Sequence, residues 1–394
     1  MPTSSNDTKR LSELAASKTG QSGDHTFPSL TANHYLSADI FQSELARIWR
    51  TQWVYVGRSD ELKSPGDFKV LRIADREVLL VLDASHQVGA FYNACSHRGS
   101  TLCEASFGQL KSGRIVCPYH QWSYNLSGEL IATPRINLGD QTAQLGLDRI
   151  SLTQWAGNLY LNFDEGSNLS VLDGMIPSAE TLNNWPLATL TVGHRVQFEV
   201  KCNWKIFWEN YLECYHCPAI HPELCRIVPL YQGGMATDYL KSGFKGEDRV
   251  AIGIESWTET GQTIAPTFEG LSAEEVEAGH TFLEIYPNQY IVAHPDYVRQ
   301  VSILPTAPGR TLVTAEWLFD PKVLQKPSFD PAPAIEFCER LLHQDAKVSE
   351  LNQRGLTAKP HHHGLLIDLE SDVWDFHEHY RAWMSDPNED NRTT

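Results

Sequence analysis

The chain has 394 residues, 41% hydrophobic and 10% aromatic content and a formal charge of −17, which exceeds one comfortable core and predicts two domains of unequal length. No apolar run approaches the roughly 18 residues a membrane helix needs, and a surface this negative repels nucleic acid and anionic lipid, so neither is an expected partner. Eight cysteines behind a polar N-terminus without an apolar leader are expected as thiols or metal ligands in a cytoplasmic protein.

Residues 1–27 are polar and are read as a disordered tail. Over 28–50, Phe41, Leu45, Ile48 and Trp49 recur at helical spacing behind a Ser37 placed to cap, which predicts a helix over 38–50 packing on the larger domain. From 51 to 168 the chain consists of short β-rich runs (DFKVLRI, EVLLVL, VGAFYNA, RIVCPYH, GNLYLNF) between Gly, Pro and Asp turns, a small all-β domain. The polar stretch 165–174 marks the boundary. Residues 169–394 carry β runs around 190–201, a helical segment 203–216, further β runs between 281 and 319, and a long helix near 333–354. This is an α+β pattern with a mainly antiparallel sheet.

Inside the β domain stand Cys95-Ser96-His97 and Cys117-Pro118-Tyr119-His120, two mixed pairs nineteen residues apart. Each pair reaches across a tight loop, so two loop tips could grip one inorganic unit from opposite sides. Zinc is an alternative, but zinc fingers group Cys with Cys and His with His. A [2Fe–2S] centre in which two Cys hold one iron and two His the other needs one of each per loop, and the mixed order meets that need. Pro118 and Trp122 are expected to give the second loop apolar cover. The strings CSHRGSTLC and CPYHQWSYNLSGEL resemble the Rieske domain of ring-hydroxylating and related oxygenases over roughly residues 45–165, with a slightly longer gap between the pairs than is usual there.

Residues 203–222 read NWKIFWENYLECYHCPAIHP, with His216 and His221 five apart. That separation leaves one helical face, so the helix must break between them, and Pro218 is the expected break. Glu213, three residues before His216, is expected on the same face. In the later helix Ile335, Cys338, Leu341, Leu342, Val348 and Leu351 form an apolar stripe on which Asp345 falls, and a carboxylate there is costly without a cation. His216, His221 and Asp345 together form a 2-His-1-carboxylate set, the ligands of Fe(II) sites that keep positions open for O₂. The blander alternatives are histidines satisfied in the core and an Asp345 at the stripe's edge reaching water. Both segments, with HQDAKVSELNQRGL around Asp345, are similar to the ligand segments of the catalytic domain in the same family.

That resemblance implies a helix-grip catalytic domain over 169–394 and a [2Fe–2S] cluster on Cys95, His97, Cys117 and His120. It implies a mononuclear Fe(II) on His216, His221 and Asp345. It also gives Glu213 a catalytic role, bridging His216 to a cluster histidine of a neighbouring subunit, where the family commonly has Asp, and hence a homotrimer. No nicotinamide or flavin fingerprint is present. Electrons from NAD(P)H are therefore expected through a separate reductase of flavin or ferredoxin type, and the reactants are O₂ and a small-molecule substrate. Glu213 in place of Asp, ENYLECYHC and the HPDYV string at 294–298 look like the branch acting on glycine betaine, choline, carnitine or stachydrine, which implies a monooxygenase that demethylates a quaternary ammonium. Ring hydroxylation of an aromatic compound is the alternative. Cys202, Cys214, Cys217 and Cys225 are read as buried small hydrophobes, and His361 to His363 as a solvated loop. Glu209 and Asn210 lie beside the iron segment without an assigned role.

Overall fold

The computed structural model describes residues 26–234, 249–359 and 363–385. The chain starts with strand β1 (Thr26–Thr31) and two helices, α1 (Ala32–Leu36) and α2 (Ala38–Arg47). The tail expected over 1–27 lies outside the described residues up to residue 25, and its last two residues belong instead to β1, where Phe27 stacks on Trp374 at 5.1 Å. Ser37 caps α2 by accepting from Ile40 N–H at 3.3 Å, and α2 ends three residues before the expected limit.

Short strands follow in three sheets, all antiparallel. Strands β2 (Val54–Arg58), β10 (Ser151–Trp155) and β11 (Asn158–Asn162) pair in the order β10-β11-β2. Between them β3 (Asp67–Ile73), β4 (Arg76–Leu82), β5 (Val88–Tyr92) and β6 (Phe107–Gln109) pair as β5-β4-β3-β6. The third sheet is the meander of β7 (Arg114–Val116), β8 (Ser123–Asn125) and β9 (Leu130–Ala132). Leu79, Val81, Phe91, Ile115 and Tyr124 close a separate core between the last two sheets.

After Asn162 the chain runs to β12 (Met175–Ile176), the edge of a six-stranded antiparallel sheet ordered β12-β14-β15-β16-β17-β13. Its other strands are β13 (Thr191–Val200), β14 (Thr281–Ile285), β15 (Gln289–Ala293), β16 (Val298–Ala307) and β17 (Arg310–Phe319). The small and large sheets are joined by polar contacts from β2 and β11. Tyr55 N–H donates to Asn288 Oδ1 at 2.8 Å, Tyr55 O–H to Glu316 at 2.6 Å and Tyr160 O–H to Gln289 at 2.7 Å.

Between β13 and β14 lie α3 (Trp204–Tyr211), α4 (Cys217–Ile220), α5 (Pro222–Ile227) and α6 (Ala273–Ala278). After the sheet come α7 (Pro321–Leu324), the long α8 (Ala332–Ala358), β18 (His363–Ile367), which pairs with β1, and α9 (Ser371–Met384). Helix α8 grips the sheet by packing against α3, α1 and β13. The expected apolar stripe of α8 holds only in its first half. Ile335, Cys338, Leu341 and Leu342 are buried, but Leu351 is 47% exposed, because Ser349 and Gln353 take the inward positions and Gln353 Oε1 accepts Asn203 N–H at 2.7 Å. Of the expected histidine loop, His361 and His362 lie outside the described residues, and His363 opens β18. No helix among the described residues is long and apolar enough to cross a membrane.

Candidate functional site

Two constellations take shape, one in the small β sheets and one under α8. The first is built on loops after β5 and β7. The Cys95 loop is closed by Cys95 N–H to Ser100 C=O and Gly99 N–H to Cys95 C=O, both 2.8 Å, with Gly99 at φ +70° completing the turn. The Cys117 loop is closed by Cys117 N–H to Trp122 C=O at 2.8 Å and Gln121 N–H to Cys117 C=O at 3.0 Å. Both cysteines are buried, whereas His97 is exposed and His120 half-buried. The sulfurs thus lie deep and the imidazoles face outward, with ring centroids 4.7 Å apart. Trp122 stacks on His97 at 4.5 Å as expected of apolar cover, but Pro118 is exposed and covers nothing. Tyr124 O–H lies 3.1 Å from Cys95 Sγ. Burial pushes the Cys95 thiol up. Burial acts the same way on Cys117, but the backbone N–H groups of Tyr119 and His120 outweigh it and hold that thiol below its usual value. His120 Nδ1 is buried with no hydrogen-bond partner among the described residues. A buried ring nitrogen without a partner, beside two buried thiols, suits an inorganic cluster that would take up all of them.

The second constellation departs from the expected local structure. The predicted helix over 203–216 stops at Tyr211, and Glu213 to His216 form an irregular turn, so Glu213 and His216 share no helical face. The turn brings them together instead. His216 Nδ1–H donates to Glu213 Oε1 at 2.6 Å, and His216 backbone N–H to Oε2 at 3.2 Å. Pro218 breaks nothing, because it occupies the first turn of α4, where a missing N–H costs no bond. His221 sits at the junction of α4 and α5, and this second bend turns its ring back toward His216, with centroids 5.1 Å apart. Asp345, midway along α8, reaches both rings, with Oδ1 at 2.7 Å from His221 Nε2 and 3.5 Å from His216 Nε2. The donor atoms of His216, His221 and Asp345 all lie within 4.8 Å of one another. Burial would raise the Asp345 carboxyl, but hydrogen bonding to the two histidines holds it below the usual range. Burial likewise lowers His216, yet Asp345 and Glu213 outweigh it and push it up to about 9. The carboxylates therefore draw a positive charge to this point, and a divalent cation fits the donor set.

Sequence reasoning missed several contributors. Gln344, adjacent to Asp345, accepts from His221 Nδ1–H at 2.6 Å, and its own amide donates to Glu223 Oε1 at 2.8 Å. The Asn210 amide lies 3.3 Å from His216 Nε2, whereas Glu209 turns away to accept from Tyr35 O–H and His377. Cys214 and Cys217, read above as buried small hydrophobes, form a disulfide, because the turn between α3 and α4 brings their Cα atoms to 4.9 Å. Cys202 and Cys225 are buried and free.

Beside the three metal-type donors opens a cavity of about 770 Å³, part of it open to solvent. One wall is aromatic, from Tyr211, Tyr231, Trp257, Phe282 and Tyr290, with Tyr211 stacked on Tyr290 at 3.5 Å and Trp257 6.0 Å from Phe282. Glu284, Arg299 and Asp372 also line it. Burial and the charge of Asp372 push the Glu284 carboxyl up to about 8.

Residues 187–386 match the model of the ring hydroxylating alpha subunit (catalytic domain), and residues 52–142 match the Rieske [2Fe–2S] domain. The glycine betaine monooxygenase oxygenase subunit of Pseudomonas aeruginosa is 27% identical over 375 residues, covering 87% of this chain and 86% of its own. The carnitine monooxygenase oxygenase subunit of Acinetobacter baumannii is 32% identical over 202 residues, 50% of this chain and 53% of its own. Among solved structures, a quaternary ammonium Rieske monooxygenase in complex with L-carnitine superposes with TM-score 0.69 at 21% identity, over 91% of this chain and 96% of that one. Naphthalene 1,2-dioxygenase from Rhodococcus sp. superposes with TM-score 0.67 at 17% identity, over 90% and 94%, so the fold is common to enzymes of both names.

Proposed function

This chain belongs to the ring-hydroxylating oxygenase alpha-subunit family and is a Rieske non-haem iron oxygenase, and on that premise we propose that it hydroxylates an N-methyl carbon of a small quaternary ammonium compound, releasing formaldehyde and the demethylated amine. The observation that carries this reading is the aromatic wall beside His216, His221 and Asp345. Ring faces hold a methylated ammonium by cation–π attraction worth about 0.5–2 kcal/mol each, and a permanent cation beside Glu284 and Asp372 would favour the ionised form of the Glu284 carboxyl, which is otherwise neutral below about pH 8. The similarity to glycine betaine and carnitine monooxygenase subunits supports the same choice.

In this reading Cys95, Cys117, His97 and His120 hold the [2Fe–2S] cluster, and His216, His221 and Asp345 hold the mononuclear iron. When bound, these two centres supply electrons and oxygen activation. The protein's own part is positional. Glu213 and Gln344 each accept the Nδ1–H of one histidine and leave its Nε2 facing inward. The aromatic wall orients a methyl group and excludes water. Glu213 would also face a cluster histidine of a neighbouring copy in a homotrimer, and the exposed His97 edge suits such a contact. An oxygenase subunit implies a separate reductase, here of flavin or ferredoxin type fed by NAD(P)H.

The test is formaldehyde release from glycine betaine and its relatives, coupled to O₂ and reductant use with a compatible reductase. Substrate-dependent turnover with formaldehyde is expected. If quaternary amines fail to stimulate reductant use while an uncharged aromatic compound succeeds, the demethylase reading is wrong.

A further inference from the structure

The cavity contains a positive charge that nothing among the described residues neutralises. Arg299 on β16 is 5% exposed and lines the cavity. The pairing Phe282–Val292–Arg299 across β14, β15 and β16 puts it on the same sheet face as Phe282, and Glu284 and Tyr290 lie two residues further along that face. Its side chain makes no hydrogen bond or ion pair among the described residues, and its Nε is a buried donor without a partner. Glu284 stands two strands away and one side-chain repeat along, roughly 11 Å between Cα atoms by ordinary sheet spacing, and no ion pair joins the two. The groups that feel Arg299 most are Cys338, Tyr290, Tyr297 and Tyr211, all neutral at pH 7.

A buried guanidinium stays charged and is costly to leave alone, so its retention calls for a partner that arrives with function. Two more donors of the same cavity are also unsatisfied among the described residues, Tyr211 O–H and Trp257 Nε1. Three orphaned buried donors around one space describe a receptor for an anion, whose oxygens would accept from all of them.

We propose that Arg299, with the Tyr211 hydroxyl, is the carboxylate-binding corner of this cavity, so that the substrate is a small zwitterion with a methylated ammonium at one end and a carboxylate at the other. The inference rests on the quaternary-ammonium reading for the cationic end only. It excludes choline-like compounds, which carry the cation without the anion, as the preferred substrates. Arg299 acts here in binding and fixes which methyl group faces the iron ligands.

The experiment compares two ω-trimethylammonio carboxylates, glycine betaine and γ-butyrobetaine, with their methyl esters, which keep the shape and delete the negative charge. Affinity is read by calorimetry and turnover by formaldehyde, in the wild type, Arg299→Gln and Arg299→Lys, with cluster absorption and near-UV circular dichroism checking the fold. The wild type is expected to prefer acid over ester by about 30-fold or more, mostly in KM, and Arg299→Gln to erase that ratio. Arg299→Lys, which keeps the charge without the planar fork, should retain part of it and also serves if the Gln variant fails to fold. An acid-to-ester ratio near one in the wild type, or one unchanged in both variants, overturns the proposal and leaves the demethylase reading intact. If all quaternary amines fail and an aromatic carboxylate binds in an Arg299-dependent way, the demethylase reading falls and the anion corner stands.

Discussion

Replacing Gln344 with leucine should loosen the mononuclear iron without touching its ligands. The Gln344 amide is oriented by its own partners, because its NH₂ donates to Glu223 Oε1 at 2.8 Å, which leaves the carbonyl oxygen to face His221 Nδ1 at 2.6 Å. A carbonyl oxygen only accepts, so Nδ1 keeps its proton, and Nε2, which meets Asp345 Oδ1 at 2.7 Å, is the nitrogen left to give its lone pair to a metal. A leucine side chain at this position would remove the acceptor at a histidine only 2% exposed, leaving a buried N–H unsatisfied and both tautomer and ring angle free. Loss of such a partner typically weakens metal binding about 10- to 100-fold, or roughly 1.4–2.7 kcal/mol. The assay is iron retained per chain against a graded ferrous chelator, with the visible spectrum of the cluster as internal control. Gln344→Leu should release iron at correspondingly lower chelator concentration, while the double variant Gln344→Glu with Glu223→Gln, which keeps an acceptor at His221 and moves the amide donor across, should hold it. Superimposable curves for wild type and Gln344→Leu would refute the reasoning.

His216→Ala or Asp345→Ala should remove about one iron per chain and all turnover while leaving the cluster spectrum unchanged, whereas Cys117→Ser should do the reverse to the spectrum; loss of cluster colour in the first pair would contradict two independent sites. Glu44 and Lys205, both fully buried and paired at 2.5 Å, tie α2 to α3, with Trp204 Nε1–H and Tyr380 O–H also donating to Glu44 at 2.8 Å. Glu44→Ala leaves the ammonium uncompensated and should cost about 3–5 kcal/mol, and an unchanged unfolding midpoint would count against it. Glu284, held near 8 by burial and Asp372, is neutral in the fold below that pH but ionises from about 4.5 once unfolded. Stability from this group therefore declines as pH rises from about 4.5 to 8, and Glu284→Gln should flatten that slope in thermal midpoints measured across the range; parallel profiles would refute it.

The parts of the fold that were legible are those where one periodicity dominates. Alternating strand runs between 281 and 319 and the long helix after Pro331 appear within a few residues of their expected places. The pairing of β1 with β18 was not legible, since two short edge segments more than 330 residues apart carry no mutual signal. The iron segment shows a subtler failure. The expected shared helical face of Glu213 and His216 and the expected break at Pro218 are both absent: the geometry comes from two bends, at residues 212–216 and at His221, and Pro218 serves as a helix start. The three residues that converge were readable from residue type because metal chemistry restricts the donors it uses; the backbone path that brings His216, His221 and Asp345 together depends on packing against α8, which local sequence does not encode.

The cavity wall was legible in principle but needed a different rule. The strands HTFLEIYPNQYIVAHPDYVRQV, residues 280–301, read as core, and within them Glu284 and Arg299 are charged residues on core-facing rows. On an antiparallel sheet whose inner face packs under a helix, such positions normally select apolar residues, because burying one charge costs more than any single packing contact returns. When an acid and a base appear there without pairing to each other, stability does not account for either. Their separation across two strands then becomes informative, because it is too long for a salt bridge and leaves room for a molecule whose anionic end meets Arg299 and whose cationic end would favour ionisation of Glu284, neutral on its own below about pH 8. The proposed iron ligands would set the reaction at one end of the cavity, and on the same proposal Arg299, unpaired among the described residues, would set the polarity of what is held there.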